Sequence, residues 1–135
     1  MSTRSSITLK ISDNKYRSIY CHHDGSPEWN GKMLVDYYGD RDKISALLDL
    51  GDISSLGKNP IGYWSDDFVY DAEKCMSYRE RGEISVDARE FASPKEVVDW
   101  YDDCDYHYFF IDGVWCLWMW EGEFESVRHY LQNNK

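Results

Sequence analysis

The sequence predicts an α+β fold, a small and mostly antiparallel sheet packed with short helices. Three observations predict it. Residues 7–12 alternate apolar and polar side chains in the period of a strand. Residues 33–48 change to the three-to-four spacing of a helix, and the C-terminal third joins a capped helix to an aromatic hairpin. At 135 residues the chain reads as a single domain over residues 1–135, long enough to bury a core without staples.

Ile7, Leu9 and Ile11 alternate with Thr8, Lys10 and Ser12, the pattern of a half-buried strand. Asp13-Asn14-Lys15 makes a turn and Tyr16 to Cys21 resumes extended character, so an N-terminal hairpin ending at Cys21 is expected. Gly25-Ser26-Pro27 stops it. Met33, Leu34, Tyr37 and Tyr38 form one helical stripe, and Ile44, Leu47 and Leu48 form another. Gly39-Asp40 separates the two, Asp40 or Asp42 caps the second helix, and Gly51 ends it. Residues 51–66 are rich in Gly, Ser, Asn and Pro and read as a long loop. Some strand is expected between Phe68 and Val86, but the SYRERGE segment is too charged for a core.

Ser93-Pro94-Lys95-Glu96 offers a capping serine, a proline at the first helical position and a glutamate able to close a capping box. Val97, Val98 and Tyr101 follow on one face, so a helix should run to about Asp102. In YHYFFIDGVWCLWMW, Asp112-Gly113 is a two-residue hairpin signal. It pairs Ile111 with Val114, Phe109 with Cys116 and His107 with Trp118. One face then carries His107, Phe109, Ile111, Val114, Cys116 and Trp118. The other carries Tyr106, Tyr108, Phe110, Trp115, Leu117 and Met119. Both faces are apolar, so both need a cover or a partner. A helix from Glu123 to Asn133, with Phe124, Val127 and Leu131 at helical spacing, supplies one.

Charge narrows the function classes. There are 25 acidic against 15 basic side chains, a net charge of −10. From Glu96 to Val127 there are nine acids and no Lys or Arg. Such a surface repels a nucleic-acid backbone or an anionic membrane and attracts a basic partner protein. No apolar run is long enough to span a bilayer, and Met1 to Ser6 is polar and leads straight into a strand, so a soluble, cytoplasmic protein is expected. Its four cysteines are expected as free thiols.

The run Cys21-His22-His23-Asp24 raises the question of metal or catalysis. In a strand Cys21 and His23 share one side, while His22 and Asp24 share the other. Zinc would need two further ligands, which Cys104 and His107 could offer, with Cys75 or Cys116 as another thiolate. A cysteine–histidine nucleophile pair, with Cys21 or Cys104 as thiol and His22 oriented by Asp24 or Asp52, is the catalytic version. This spacing matches no regular zinc module or hydrolase motif. A buried Cys21 and a strand-ending turn at Asp24-Gly25 is the favoured reading, with no cofactor, metal or catalytic residue assigned. Arg79-Glu80-Arg81-Gly82-Glu83 is expected to pair its charges locally.

Three segments, SIYCHHDGSPEWNGKML, LLDLGDISSLG and CMSYRERGE, together resemble a family of small acidic proteins encoded by bacteriophages and prophages. In that family they correspond to IYCHxDG, GDISxLG and YxRxRGE patterns over roughly residues 18–91. This chain departs from the pattern at His23 and Ser26, where the family places an aromatic residue and a tyrosine. The resemblance implies a viral or prophage origin and brings no activity or cofactor with it.

Charge and resemblance together lead to one functional expectation. The chain is expected to bind a basic host protein or nucleoprotein complex, inhibiting a defence system of the anti-CRISPR or anti-restriction type. Spaced carboxylates can imitate a phosphate backbone. Glu96, Asp99, Asp102, Asp103, Asp105, Glu121 and Glu123 are the expected charged contacts, and Trp118 and Trp120 the expected anchors. The rival expectation is a small metal-binding or Cys/His-dependent enzyme in which residues 21–24, Cys104 and His107 meet in one cleft.

Overall fold

A computed structural model describes residues 2–119 and 123–133. The N-terminal hairpin is present: β1 (Ser5–Ser12) pairs antiparallel with β2 (Lys15–Cys21), Ile7 opposite Ile19. A single wide helical turn, Pro27–Gly31, leads into α1 (Lys32–Tyr37) and then α2 (Arg41–Asp49). Asp40 caps α2 by accepting from the Asp42 N–H at 3.0 Å, and Gly51 ends the unit at φ +79°.

The stretch 51–66 is not all loop. It contains β3 (Ile53–Ser55) and β4 (Gly62–Tyr63), while Cys75–Ser77 forms β5 and Arg89–Phe91 forms β6. These strands are two or three residues long, too short to show a period of two. Next come α3 (Pro94–Trp100), β7 (Tyr106–Ile111), β8 (Val114–Trp118), β9 (Phe124–Ser126) and α4 (Val127–Asn133). The Ser93 hydroxyl accepts from the Glu96 N–H at 3.3 Å, and α3 stops at Trp100, slightly before the expected end. The last helix also starts later than its apolar spacing suggests. Phe124 joins an edge strand opposite Trp118 and packs its ring on Trp118 and Phe109.

The nine strands lie in the order β4-β5-β3-β2-β1-β7-β8-β9, with β6 also on β2. Pairing is parallel for β1–β7, β2–β3 and β4–β5 and antiparallel elsewhere. The hairpin register holds from Ile111–Val114 to Tyr108–Leu117. Alternation then separates two cores. On the first face Ile7, Leu9, Ile19, Cys21, Tyr108, Phe110, Trp115 and Leu117 meet Leu34 of α1, Leu47 and Leu48 of α2, and Val127 of α4. On the second, Tyr16 and Phe109 meet Val97 and Tyr101 of α3, with Phe91, Tyr20, Cys104 and Trp118 around them.

β2 has two neighbours along one edge. β6 pairs with it at Tyr16–Ser18 and β3 at Cys21. Between them the Asp52 carboxylate accepts the Tyr20 N–H at 2.9 Å and an Arg89 N–H at 3.3 Å, taking the place of a strand carbonyl. Asp52 is brought there by the Gly51 turn and by its own N–H, which donates to Val86 O at 2.7 Å. A Cβ on Gly51 would lie 2.3 Å from that same Val86 oxygen, in a backbone region costly for any L side chain. Gly51→Ala should therefore cost more than about 3 kcal/mol in chemical denaturation, combining the positive-φ penalty with a backbone clash. A loss below 1 kcal/mol, on the same scale, would show that the turn relaxes without disturbing Asp52.

Candidate functional site

The Cys21-His22-His23-Asp24 run ends a strand. His22 and His23 N–H groups donate to Ile53 O and Ser54 O, Asp24 turns the chain at φ +59°, and Gly25 N–H returns to Thr3 O at 2.9 Å. Cys21 is fully buried in the first core, where its thiol donates to His23 O and accepts from Asn30 Nδ2. His22 shares a 2.7 Å hydrogen bond with the Tyr20 hydroxyl, and its ring meets that of His23 edge-on at 4.6 Å. His23 Nδ1 shares one with Ser2 Oγ at 3.1 Å.

The sheet keeps the expected ligands apart. Cys21 lies on its first face, while Cys104 packs into the second core and His107 alternates onto that same second face beside Phe109. No metal ion can be shared through an intact β-sheet. Among the described residues, no three His, Cys, Asp or Glu side chains form a group able to hold a metal ion. The single-cleft expectation is thereby corrected; the residue spacing could not say which face each side chain occupies. His107 Nδ1 instead shares a 2.7 Å hydrogen bond with Ser6 Oγ, and Thr8 and Ser18 hydroxyls bond at 2.7 Å beside it. These are buried polar groups satisfied by one another.

All four cysteines are free thiols. Burial pushes Cys21 and Cys104 up to about 12, and it raises Cys75 and Cys116 as well. A nucleophilic thiol needs the opposite environment, with cations and a lowered pKa.

The acidic segment forms an exposed rim. Glu96, Asp99, Asp102, Asp103, Asp105 and Glu123 all face solvent. Two find counter-charges from outside the segment, Asp103 with Arg4 at 2.9 Å and Asp99 with Lys95 at 2.8 Å, while Asp105 accepts the neutral backbone N–H of Arg4. Trp118 is half-buried, with its ring 6.3 Å from Phe109 and 5.6 Å from Phe124, so it belongs to the second core and is no free anchor. Trp120 and Glu121 lie outside the described residues.

Among the described residues of this segment, Trp100 is the most exposed aromatic, at 60% exposure. Val97 and Tyr101 point inward from α3, which turns Glu96, Asp99 and Trp100 outward together. Its ring is held by Phe91 at 6.2 Å and by the Arg89 guanidinium at 5.6 Å, the same guanidinium that reaches Asp52. A sequence signal for Trp100 existed: it falls off the Val97–Tyr101 stripe. The local ion pairs expected around residues 79–83 are present as Arg81–Glu83 and Arg79–Asp87. Among the described residues no helix is long and apolar enough to cross a membrane.

Comparison with protein-family models, curated proteins and solved structures gives no match to this chain.

Two outcomes are expected from these environments. Burial lowers His107 from its ordinary 6.5 to about 4, so the folded state prefers the neutral imidazole. That preference contributes fully above pH 6.5 and is lost as pH falls towards 4, about 3 kcal/mol over the window. Stability measured by denaturant between pH 6.5 and 5 should fall with a slope that His107→Gln reduces but does not abolish, since burial also lowers His22; an unchanged slope would place the titration elsewhere. Separately, the Cys104 thiol should alkylate at neutral pH at least about a hundredfold more slowly than a free thiol in the native state. Fast, selective modification of Cys104 would revive a nucleophilic role.

Proposed function

We propose that this chain is a non-enzymatic binding protein of phage or prophage origin, acting in the cytoplasm of a bacterial host. It occupies a basic groove on a host protein or nucleoprotein complex that handles nucleic acid, and so inhibits a defence system of the anti-CRISPR or anti-restriction type. The observation that carries this reading is Trp100: a largely exposed indole, fixed by Phe91 and Arg89 and flanked on its own face by Glu96 and Asp99. Carboxylates raise the encounter rate with a basic surface, and a rigid aromatic loses little freedom on docking. Asp102, Asp103 and Asp105 extend the negative rim beyond the end of α3. Direct nucleic-acid binding is opposed by the same charge.

Expression of the chain in hosts with an active CRISPR or restriction system should restore plating of a restricted phage. Against the purified target, Asp102→Asn/Asp103→Asn/Asp105→Asn should slow association and flatten its salt dependence. Trp100→Ala should instead raise the dissociation rate about tenfold or more. Both variants should melt within about 3 °C of the parent, since the altered side chains are exposed. Unrestored plating in every such host, or parental binding kinetics in both variants, would overturn the proposal.

A further inference from the structure

At the β4 edge of the sheet the chain presents a second surface, outside the acidic segment. Phe68, Val69 and Tyr70 are consecutive and exposed by 63%, 65% and 55%. Large apolar side chains at protein surfaces usually occur singly, and three together mark an interaction site. The loop that holds them is built. Ser65 takes the Phe68 N–H on its carbonyl at 3.0 Å and the Val69 N–H on its hydroxyl at 3.1 Å. The Tyr63 hydroxyl donates to Val69 O at 3.0 Å and accepts from the Asp71 N–H at 2.8 Å. Trp64 meets the Phe68 ring at 5.8 Å and is itself covered by the Arg81 guanidinium at 4.6 Å. Phe68 is held at φ +55°, a region rarely tolerated by a bulky residue. These bonds hold the loop backbone in a conformation that leaves all three apolar side chains exposed.

We infer that this loop is a docking surface for a protein partner bearing an apolar pocket rimmed by Lys and Arg. Charge selects that occupant. Residues 61–73 contain Asp66, Asp67, Asp71 and Glu73 and no base. Glu73 pairs with Lys58 at 3.5 Å, whereas among the described residues Asp66, Asp67 and Asp71 have no ion pair; Asp66 and Asp71 accept only neutral N–H groups. A second copy of the chain would bring a net charge of −10 and the same carboxylates. A nucleic acid or an anionic bilayer is repelled for the same reason. A basic rim satisfies the carboxylates while its pocket takes Val69 and the flanking rings.

The test uses the full chain in lysate of the bacterial host, and in the choice of that lysate it rests on the proposed function. p-Benzoylphenylalanine is placed at Val69, separately at Asp99 beside Trp100, and at Ile84 as an exposed apolar reference outside the loop. Position 69 should give an adduct that position 84 does not, with a protein whose cross-linked peptide adjoins Lys or Arg. That protein, once purified, should bind the Phe68→Ser/Val69→Ser chain at least about tenfold more weakly than the parent, and the parent more weakly at high salt. Val69→Ser alone, matched to the parent in thermal melts, guards against loss of the loop fold and should weaken binding in the same direction. An adduct from position 99 without one from position 69 overturns this surface and leaves the proposed function standing. The converse supports the surface and overturns the role of α3. No adduct from either position, an adduct only with a second copy, or parental affinity in Val69→Ser overturns the inference.

Discussion

The β7–β8 hairpin carries large aromatic side chains on both faces, so water has to be excluded from both. On the first face the rings also bear polar tips that need partners once buried. The Tyr108 hydroxyl donates to Gly25 O at 2.6 Å, Trp115 Nε1–H to Tyr38 O at 2.7 Å, and the Tyr38 hydroxyl to Gly57 O at 2.7 Å. Each acceptor is a backbone carbonyl in a connection between elements. The demand for apolar cover and the demand for acceptors are therefore met by the same segments. This is why a long connection between β1 and its parallel partner β7 can be mostly irregular and still be placed.

The second face is built differently. Its central positions are Ser6, Thr8, Ser18 and His107, which satisfy one another, with aromatic packing that runs from Phe91 and Tyr101 to Tyr16, Phe109, Trp118 and Phe124. Asp52 joins this face to the edge of β2 by serving Tyr20 and Arg89 at once. Its burial raises the carboxyl above its ordinary range, so the ionised form is held at some cost that the Tyr20 N–H and Arg89 partly offset. The same burial leaves the thiols protonated and His107 neutral. Residues that look reactive in the sequence act here as structural polar groups.

The sequence made the long-period features readable: the alternation through Ile7 and Leu9, the Asp40 and Ser93 caps, and the Asp112-Gly113 turn with its two apolar faces. Each rests on a local rule that the fold did not override. The strands at 53–55, 62–63, 75–77 and 89–91 escaped because pairing partners, not side-chain period, define so short a segment. The division of Cys21 from Cys104 and His107 escaped for a related reason: relative faces depend on register between distant strands. Trp118, in a strand, and Trp100, in a helix, differ in exposure through the way their neighbours cover them. Helical phase alone could have turned Trp100 outward, whereas the burial of Trp118 depends on Phe124 leaving the expected helix for a strand.

Charge in this chain is organised and not merely abundant. Most described cations are committed: Arg4, Lys10, Lys15, Arg17, Lys32, Lys58, Arg79, Arg81, Arg89 and Lys95 each pair with a carboxylate. Exposed pairs of this kind add little stability. They do, however, leave few cations free to meet a phosphate, while the surplus carboxylates remain at the surface. Long-range attraction of this sort is non-directional and fades within about 10 Å at ordinary salt. It cannot by itself distinguish one basic protein from another. On the proposed function, discrimination falls to short-range shape, to which Trp100 and the Phe68–Tyr70 loop contribute exposed apolar side chains held among those carboxylates. On that proposal, charge governs which surfaces approach, and the fixed rings govern which of them can stay.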